Sequence, residues 1–219
     1  MISIVFDLDG TLIHSAPAIQ AIGDRLLAER GLQSLTTTEA RSFIGNGAAK
    51  FVERAFAARG VEDQAEVAAA VERFERYYVE ADPLENAPMP EADTALRALI
   101  EAGFRLGLCT NKPGAPTRLV IEALGWTGLL PVVVAGDSLP VKKPDPAPLL
   151  EARRLLGGGA MIYVGDSEVD AEAAERASAP FLLYTEGYRK SPAEQLPHRA
   201  AFSDFADLPE LVRLAASEM

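Results

Sequence analysis

The chain has 219 residues, of which 48% are hydrophobic and 24% charged, as is typical of one globular domain or of one domain carrying an insertion. Its formal net charge of −11 has the wrong sign for a general nucleic-acid binder or for a protein that binds anionic membranes. The single cysteine excludes intramolecular disulfides, and the sequence offers neither a membrane-spanning apolar run nor a signal peptide. We therefore expect a soluble, cytoplasmic protein.

The first predicted element is a buried strand over Ile2–Phe6, and almost a hundred residues separate it from the next predicted strand. A single crossover between parallel strands needs far fewer residues. The segment from about residue 15 to residue 83 shows only helical periodicity, so we interpret it as a four-helix insertion. Its predicted helices are Pro17–Glu29, a short helix opened by a capping box at Thr36–Glu39, Ala48–Ala58 and Gln64–Glu80.

From residue 92 onward, amphipathic segments alternate with short apolar segments that are typical of parallel strands covered on both faces. This alternation predicts an α/β fold, namely a Rossmann-like, doubly wound parallel sheet. The predicted core domain comprises residues 1–14 and 84–219, and the inserted helical domain comprises residues 15–83. The remaining predicted elements are helix Ala92–Ala102, strand Arg105–Cys109, helix Pro116–Leu124, strand Val132–Ala135, helix Pro146–Leu156, strand Met161–Val164, helix Glu168–Ala177 and strand Phe181–Tyr184.

Two aspartates, Asp7 and Asp9, follow the first predicted strand directly. In open parallel sheets, reactive groups lie in the crevice beyond the carboxyl ends of the strands. Residues two apart on leaving a strand point the same way, so both carboxylates are expected to converge on one site. Gly10 permits the tight turn that this convergence needs. An isolated motif of this kind is more often a simple turn.

Other predicted strand ends also carry polar groups. Thr110 and Asn111 follow the second strand of the core, with a hydroxyl and an amide suited to phosphate oxygens. Asp166 and Asp170 follow a later strand and lie four residues apart, on one face of the next helix. Lys143 precedes another helix. Together these groups supply carboxylates for a hard divalent ion, and a cation and a hydroxyl for a phosphoryl group.

These motifs resemble the four motifs of the haloacid dehalogenase superfamily, and they occur in the same order. The matching segments are Phe6-Asp-Leu-Asp-Gly-Thr-Leu12, Thr110-Asn111, Lys143-Pro144 and Gly165-Asp-Ser-x-x-Asp170. The four-helix insertion is similar to the C1 cap domain that members of this superfamily carry after the first motif. The resemblance covers the whole predicted core.

The resemblance implies phosphoryl transfer through an aspartyl-phosphate. Asp7 would attack phosphorus, and Asp9 would protonate the leaving oxygen and later activate a water molecule. Asp7, Asp166 and the backbone carbonyl of Asp9 would hold Mg²⁺. Lys143 would offset the repulsion between the attacking carboxylate and the phosphate.

The resemblance also implies roles for the residues around this centre. Thr110, Asn111 and Lys143 would bind the phosphate, and Asp170 would orient Lys143 or a metal-bound water. The inserted helices would close over the site and exclude water. The loop facing the substrate would be formed by Gly45, Asn46 and Gly47.

Within the superfamily, further segments resemble bacterial phosphoglycolate phosphatases, among them Thr110-Asn-Lys-Pro113, Lys143-Pro-Asp-Pro146 and Gly187-Tyr188. Two positions depart from that pattern: His14 stands where an acidic residue is common, and Pro90-Glu91 stands where Pro-Gly is common. Neither position touches the four motifs. The implied substrate is a small phosphate ester, 2-phosphoglycolate, acted on by a monomer or a homodimer with no nucleic-acid or membrane partner.

Several alternatives remain open from the sequence. Another phosphomonoesterase, a pyrophosphatase or a sugar phosphomutase of the same superfamily would use the same motifs, and a non-catalytic binding module would keep only the fold. We interpret Cys109 as a buried core thiol and Trp126 as a packing residue. Lys50 and Arg41 are interpreted as surface cations, although both lie near the predicted substrate loop.

Overall fold

The computed structural model describes residues 2–219 and confirms the predicted α/β fold. Its strands are β1 (Ser3–Phe6), β2 (Ile13–His14), β3 (Ala87–Pro88), β4 (Arg105–Cys109), β5 (Val132–Val134), β6 (Met161–Gly165), β7 (Phe181–Tyr184) and β8 (Ala200–Phe202). Its α-helices are α1 (Ala16–Ala28), α2 (Thr37–Phe43), α3 (Ala48–Ala57), α4 (Gln64–Glu80), α5 (Ala92–Glu101), α6 (Gly114–Ala123), α7 (Ala147–Leu155), α8 (Glu168–Arg176) and α9 (Leu208–Ser217). Within residues 2–219, none of these helices is both long and apolar enough to cross a membrane.

Six parallel strands form the main sheet, in the order β5-β4-β1-β6-β7-β8. In the centre, Ser3 of β1 pairs with Arg105 of β4 on one side and with Met161 of β6 on the other. The strand order reverses between β1 and β6, which is the switch point typical of doubly wound sheets. The carboxyl ends of β4, β1 and β6 therefore lie side by side at the edge where the predicted site residues follow.

Helices cover both faces of this sheet. Ile4 and Phe6 of β1 pack with residues of α5, α6 and α9 on one face, and Val5 packs with residues of α7 and α8 on the other. Trp126 belongs to the first cluster and Cys109 to the second, and both are almost completely buried. Their interpretation as core residues is confirmed. Burial on both faces holds β1 firmly, and this fixes where its carboxyl end lies.

Helices α1–α4 pack on one another around a separate hydrophobic cluster. The predicted capping box is present at the start of α2, where the Glu39 N–H donates to Thr36 Oγ1 at 3.2 Å and the Thr36 N–H donates to Glu39 Oε2 at 2.8 Å. Phe51, Phe56 and Phe74 fill the centre of the cluster. The short antiparallel pair of β2 and β3 lies where the chain enters and leaves this segment.

Two parts of the β structure and one α-helix lie outside the sequence predictions: the β2–β3 pair, the edge strand β8 and helix α9. The first two have only two or three residues per strand, too few to show a periodicity. Helix α9 does carry buried residues at helical spacing, namely Leu208, Val212 and Ala215, so its signal is present in the sequence. Glu91, in the Pro90-Glu91 departure, has a φ of 58°, in the left-handed region that favours glycine.

Candidate active site

The predicted strand-end residues converge at one edge of the sheet. Asp7 follows β1, Thr110 follows β4 and Asp166 follows β6, and all three are buried. Their backbones are tied to the sheet: the Asp7 N–H donates to the Val164 carbonyl and the Thr110 N–H to the Val134 carbonyl, each at 2.9 Å. Because the ladder hydrogen bonds fix these positions, the side chains are presented together in one crevice.

Lys143 connects two of the carboxylates at the bottom of this crevice. Its Nζ lies 2.8 Å from Asp7 Oδ1 and 2.6 Å from Asp170 Oδ1, and it donates to the Tyr163 hydroxyl at 2.6 Å. Burial disfavours its charge, but the carboxylates of Asp170 and Asp7 outweigh this effect and raise the pKa of Lys143 above its usual value. Lys143 is therefore a fixed cation beside Asp7.

Asp170 is the most fully hydrogen-bonded carboxylate of the group. Its Oδ1 accepts hydrogen bonds from Lys143 and, at 2.8 Å, from the Tyr163 hydroxyl. Its Oδ2 accepts from the Ser167 hydroxyl at 2.6 Å and from the Ser167 N–H at 3.2 Å. Burial would raise the pKa of Asp170, but Lys143 and the hydrogen bonds from Ser167 and Tyr163 together outweigh burial and hold this pKa below its usual value. The sequence analysis did not identify Tyr163, because a tyrosine within an apolar strand carries no signal of a polar contact.

The negative charges of Asp7 and Asp166 are less well compensated by their surroundings than that of Asp170. Burial raises the pKa of Asp7 to about 7 against the opposing effect of Lys143, and Asp170 adds to the rise. Burial also raises the pKa of Asp166 well above its usual value, with further contributions from Asp170 and Asp7. Within residues 2–219, Asp166 forms no ion pair with a lysine or an arginine.

Two loops close tightly around Asp166. Its Oδ1 accepts a hydrogen bond from the Thr11 hydroxyl at 2.9 Å, and its Oδ2 accepts from the Tyr188 N–H at 2.6 Å. Gly10 has a φ of +90°, and a Cβ atom there would lie 2.6 Å from Asp166 Oδ2. A Cβ atom at Gly187 would lie 2.3 Å from the Asp166 Cβ. The loops after β1 and β7 thus approach this carboxylate so closely that only glycine fits at both positions.

The acidic cluster fits a divalent metal ion. One oxygen from each of Asp7, Asp166 and Asp170 lies within 4.8 Å of the other two, and all three residues are buried. Hard divalent cations take carboxylate and carbonyl oxygens of this kind as ligands. Since the pKa of Asp170 is held below its usual value whereas those of Asp7 and Asp166 are raised, Asp7 and Asp166 are the carboxylates with the greater need of a cation.

Asn111 joins two loops at the site. Its Nδ2 donates to the Lys143 carbonyl and to the Gly45 carbonyl, each at 3.0 Å, and its Oδ1 accepts from the Lys143 N–H at 3.0 Å. The hydroxyl of the neighbouring Thr110 accepts from the Lys112 N–H at 3.2 Å. These contacts hold Lys143 in place, whereas phosphate binding by Asn111 and Thr110 stays a prediction.

Asp9 lies beside a buried lysine that the sequence analysis did not single out as a site residue. Lys112 Nζ lies 3.0 Å from Asp9 Oδ1, and it also donates to the hydroxyl of Tyr78 on α4. The Lys112 side chain is 0% exposed. Burial lowers the pKa of Lys112, and Asp9 opposes that shift. The available signal was the Thr110–Pro113 segment, which contains this lysine.

The predicted substrate loop of Gly45, Asn46 and Gly47 does lie at the site. The Gly45 carbonyl is bonded to Asn111, and Asn46 Oδ1 accepts a hydrogen bond from Arg54 Nη2 at 2.8 Å. Gly45 and Gly47 line the same cavity as Asp7 and Asp9. Any role in binding the substrate remains a prediction for these three residues.

Three other residues noted in the sequence analysis have different surroundings. Lys50 is exposed and pairs with Glu53 at 2.6 Å, as expected of a surface cation. Arg41 is also exposed, but it donates to the Gly187 carbonyl at 2.9 Å and so connects α2 to the loop after β7. His14 Nδ1 lies 3.3 Å from the Tyr188 hydroxyl, and burial together with Arg41 lowers the pKa of this histidine.

A cavity with about 420 Å³ of empty space lies between the strand ends and helices α1–α4. A second one, of about 340 Å³, lies on the Asp166 side. The polar wall of the first contains Asp7, Asp9, Thr110, Asn111 and Lys112. Its apolar wall contains Ile19, Ile44, Phe51 and Phe74. A ligand in this space would meet the carboxylates at one end and an apolar surface at the other.

Known proteins resemble this chain over nearly its whole length. The family model for haloacid dehalogenase-like hydrolases matches residues 3–178. A phosphoglycolate phosphatase from Cereibacter sphaeroides is 47% identical over 215 residues, which cover 97% of this chain and 98% of that protein. A phosphoglycolate phosphatase from Rhodobacter capsulatus is 42% identical over 212 residues, which cover 96% of both proteins.

A comparison with solved structures agrees with the sequence relatives. The crystal structure of a predicted phosphoglycolate phosphatase from Haemophilus somnus superposes with a TM-score of 0.89 at 30% identity, and the match covers 96% of this chain and 97% of that one. The matched residues 3–178 include all the strand-end carboxylates, Lys143 and Thr110. The chain therefore belongs to the haloacid dehalogenase-like hydrolases and is a phosphoric monoester hydrolase of that family.

Proposed function

We propose that the protein hydrolyses 2-phosphoglycolate to glycolate and phosphate, with Mg²⁺ as its metal and Asp7 as the residue that is transiently phosphorylated. The observation that carries this proposal is the Lys143 ammonium held 2.8 Å from Asp7 Oδ1, next to a second buried carboxylate at Asp166. An anionic nucleophile attacking an anionic phosphate needs such compensation. The relatives named phosphoglycolate phosphatase support the choice of substrate.

Asp7 is proposed as the nucleophile. Lys143 bonds to Oδ1, which leaves Oδ2 to form the new bond to phosphorus as the bond to the leaving oxygen breaks. Asp170 and Tyr163 keep the Lys143 ammonium in place, so they act on Asp7 through the lysine. Asp170 is thus proposed as a positioning residue.

Asp7, Asp166 and the backbone carbonyl of Asp9 are proposed to hold Mg²⁺. When bound, the metal would neutralise the charge that the carboxylates and the phosphoryl group bring together. The raised pKa values of Asp7 and Asp166 support this assignment, because two buried carboxyl groups with these values are poorly compensated in the protein alone. Thr110, Asn111 and the Lys143 ammonium would bind the non-bridging oxygens of the phosphoryl group as it moves from the ester oxygen to Asp7.

Asp9 is proposed as the general acid and base. It would donate a proton to the leaving oxygen of glycolate and later accept a proton from the water that hydrolyses the phosphorylated Asp7. Its side chain lines the same cavity as Asp7, as this shared role requires. The glycolate part of the substrate would therefore lie on the Asp9 side of that cavity.

We also propose that residues 15–83 act as a cap domain over a core of residues 1–14 and 84–219. Helices α1–α4 have their own hydrophobic cluster, which supports the division. Their apolar wall over the cavity, with Ile19, Phe51 and Phe74, would exclude water from the phosphorylated intermediate. The side chains of Ile19, Phe51 and Phe74 offer no hydrogen-bond partners to sugar hydroxyls, and this favours a small substrate over a sugar phosphate.

The test measures the release of inorganic phosphate from four compounds, each with Mg²⁺ and with a chelator. The compounds are 2-phosphoglycolate, glucose 6-phosphate, β-glucose 1-phosphate and pyrophosphate. We expect selective, metal-dependent release from 2-phosphoglycolate and none from the Asp7→Asn variant, which controls for contaminating phosphatases. If the protein prefers another ester, the proposed substrate is wrong, whereas the proposed roles of the site residues stand. Release by folded Asp7→Asn at the wild-type rate would refute the assignment of the nucleophile.

A further inference from the structure

A lysine and a tyrosine lie together on the wall of the larger cavity, and the steps proposed above use neither. Lys112 Nζ contacts Asp9 Oδ1 at 3.0 Å and also the hydroxyl of Tyr78. Lys112 follows β4, whereas Tyr78 belongs to α4, so the two residues come from opposite sides of the cavity. Both residues are buried, so their polar atoms are shielded from bulk water.

Two hydrogens of this pair have no acceptor within residues 2–219. An ammonium has three hydrogens, and the acceptors of Lys112 Nζ are Asp9 Oδ1 and the Tyr78 hydroxyl. Because the Tyr78 hydroxyl accepts from Lys112, its own hydrogen is available to donate. Buried donors without acceptors cost free energy. A group with two acceptor oxygens and a negative charge, such as a carboxylate, would satisfy both donors.

We propose that Lys112 and Tyr78 bind a carboxylate on the leaving group and thereby select carboxylate-bearing phosphate esters over neutral ones. This inference rests on the proposed function and adds to it the residues that determine substrate specificity. Lys112 supplies the charge and Tyr78 supplies the second hydrogen bond. Within residues 2–219, Lys112 is the one lysine or arginine that lines this cavity, so no other cation of its wall competes for the carboxylate.

The geometry also limits how far the carboxylate lies from the ester oxygen. Lys112 Nζ is 3.0 Å from the Asp9 carboxylate that would protonate the ester oxygen. A carboxylate oxygen bonded to the same ammonium would then lie within about 6 Å of Asp9 Oδ1, since each hydrogen bond spans about 3 Å. The ester oxygen, bonded to Asp9, and the carboxylate must therefore be close in the substrate. A single carbon between them, as in phosphoglycolate, meets this condition.

The test compares 2-phosphoglycolate with ethyl phosphate, which carries a methyl group in place of the carboxylate. We expect Lys112→Met to lower the ratio of their kcat/KM values by about 10- to 150-fold, the range for a hydrogen bond to a charged group. A role of Lys112 in merely positioning Asp9 would lower both kcat/KM values by the same factor and leave the ratio unchanged. Lys50→Met is the matched control, because Lys50 is an exposed lysine outside the cavity, and it is expected to leave the ratio unchanged.

Tyr78→Phe is the second variant and removes only the hydroxyl. We expect it to lower the same ratio by about 10-fold, the lower end of the range for a hydrogen bond to a charged group, and this variant carries the test if Lys112→Met does not fold. Wild-type turnover of 2-phosphoglycolate with an unchanged ratio in the folded variants would overturn this inference alone. A wild-type protein that releases no phosphate from 2-phosphoglycolate would overturn the proposed function, and this inference with it.

Discussion

Replacing Asp7 by asparagine is expected to stabilise the metal-free protein, and to do so more at high pH than at low pH. The Asp7 carboxyl is buried, and its pKa is raised from 3.8 to about 7. A carboxyl group whose pKa is higher in the folded state contributes stability that is lost as the pH rises from its unfolded pKa to its folded pKa. Asparagine has nearly the same shape and does not ionise, so the variant does not suffer this loss.

The pKa values set the size of the effect. The full shift, at about 1.4 kcal/mol per pKa unit, corresponds to about 4 kcal/mol. Between about pH 5 and about pH 8 the unfolding free energy of the wild-type protein would fall by about 3 kcal/mol. This is less than the full amount, because the carboxyl group of the unfolded chain is already ionised at about pH 5. The gain in unfolding free energy from Asp7→Asn should therefore be about 3 kcal/mol larger at the higher pH.

The assay is urea denaturation of both proteins at the two pH values, in the presence of a chelator. Glu122→Gln, which removes an exposed carboxylate on α6, serves as the control and should show a gain close to zero at both. Added Mg²⁺ should then stabilise the wild-type protein and not Asp7→Asn, because only the former retains the proposed ligand. Equal gains from Asp7→Asn at both pH values would refute the reasoning that burial of this carboxylate is poorly compensated.

Three further predictions follow from the site. Lys143→Met leaves Asp7 and Asp170 without their cation, so we expect the unfolding free energy at about pH 8 to fall by about 3–5 kcal/mol. Urea denaturation with a chelator measures this loss, and a loss near zero would contradict the ion pairs described. Asp9→Asn should slow the release of phosphate from ethyl phosphate far more than from an activated aryl phosphate, whose leaving group needs no proton, and equal losses in steady-state assays would count against the acid role. Gly187→Ala places a Cβ atom 2.3 Å from the Asp166 Cβ and would displace the Asp166 side chain. The affinity for Mg²⁺, measured by calorimetry, should therefore fall by about 10-fold or more. An unaltered affinity would count against Asp166 as a ligand of the metal.

Much of the fold and the centre of the candidate site could be predicted from local sequence patterns. The apolar strands and amphipathic helices gave the order of the elements, with boundaries within one or two residues for those predicted. The residues that end β1, β4 and β6 were predicted to meet, because carboxyl ends of neighbouring parallel strands share one edge of the sheet. Asp7, Thr110 and Asp166 do lie together there.

The partners of these residues could not be predicted in the same way. Tyr163 reads as an apolar strand residue, yet its hydroxyl bonds to Lys143 and Asp170. Lys112 was not predicted as a site residue, yet it is buried between Asp9 and Tyr78. Such contacts join residues far apart in the chain, so no local period or spacing records them.

The sequence by itself therefore indicated groups suited to a divalent ion and a phosphoryl group, because that inference depends on which residues follow which strands. The tertiary structure decided how each group is charged and held. The pKa of Asp7 is raised by burial among other carboxylates, and Lys112 meets Tyr78 only because α4 packs over the loop after β4. Burial and long-range contact are properties of the packed chain, and they arise only when separate segments exclude water together.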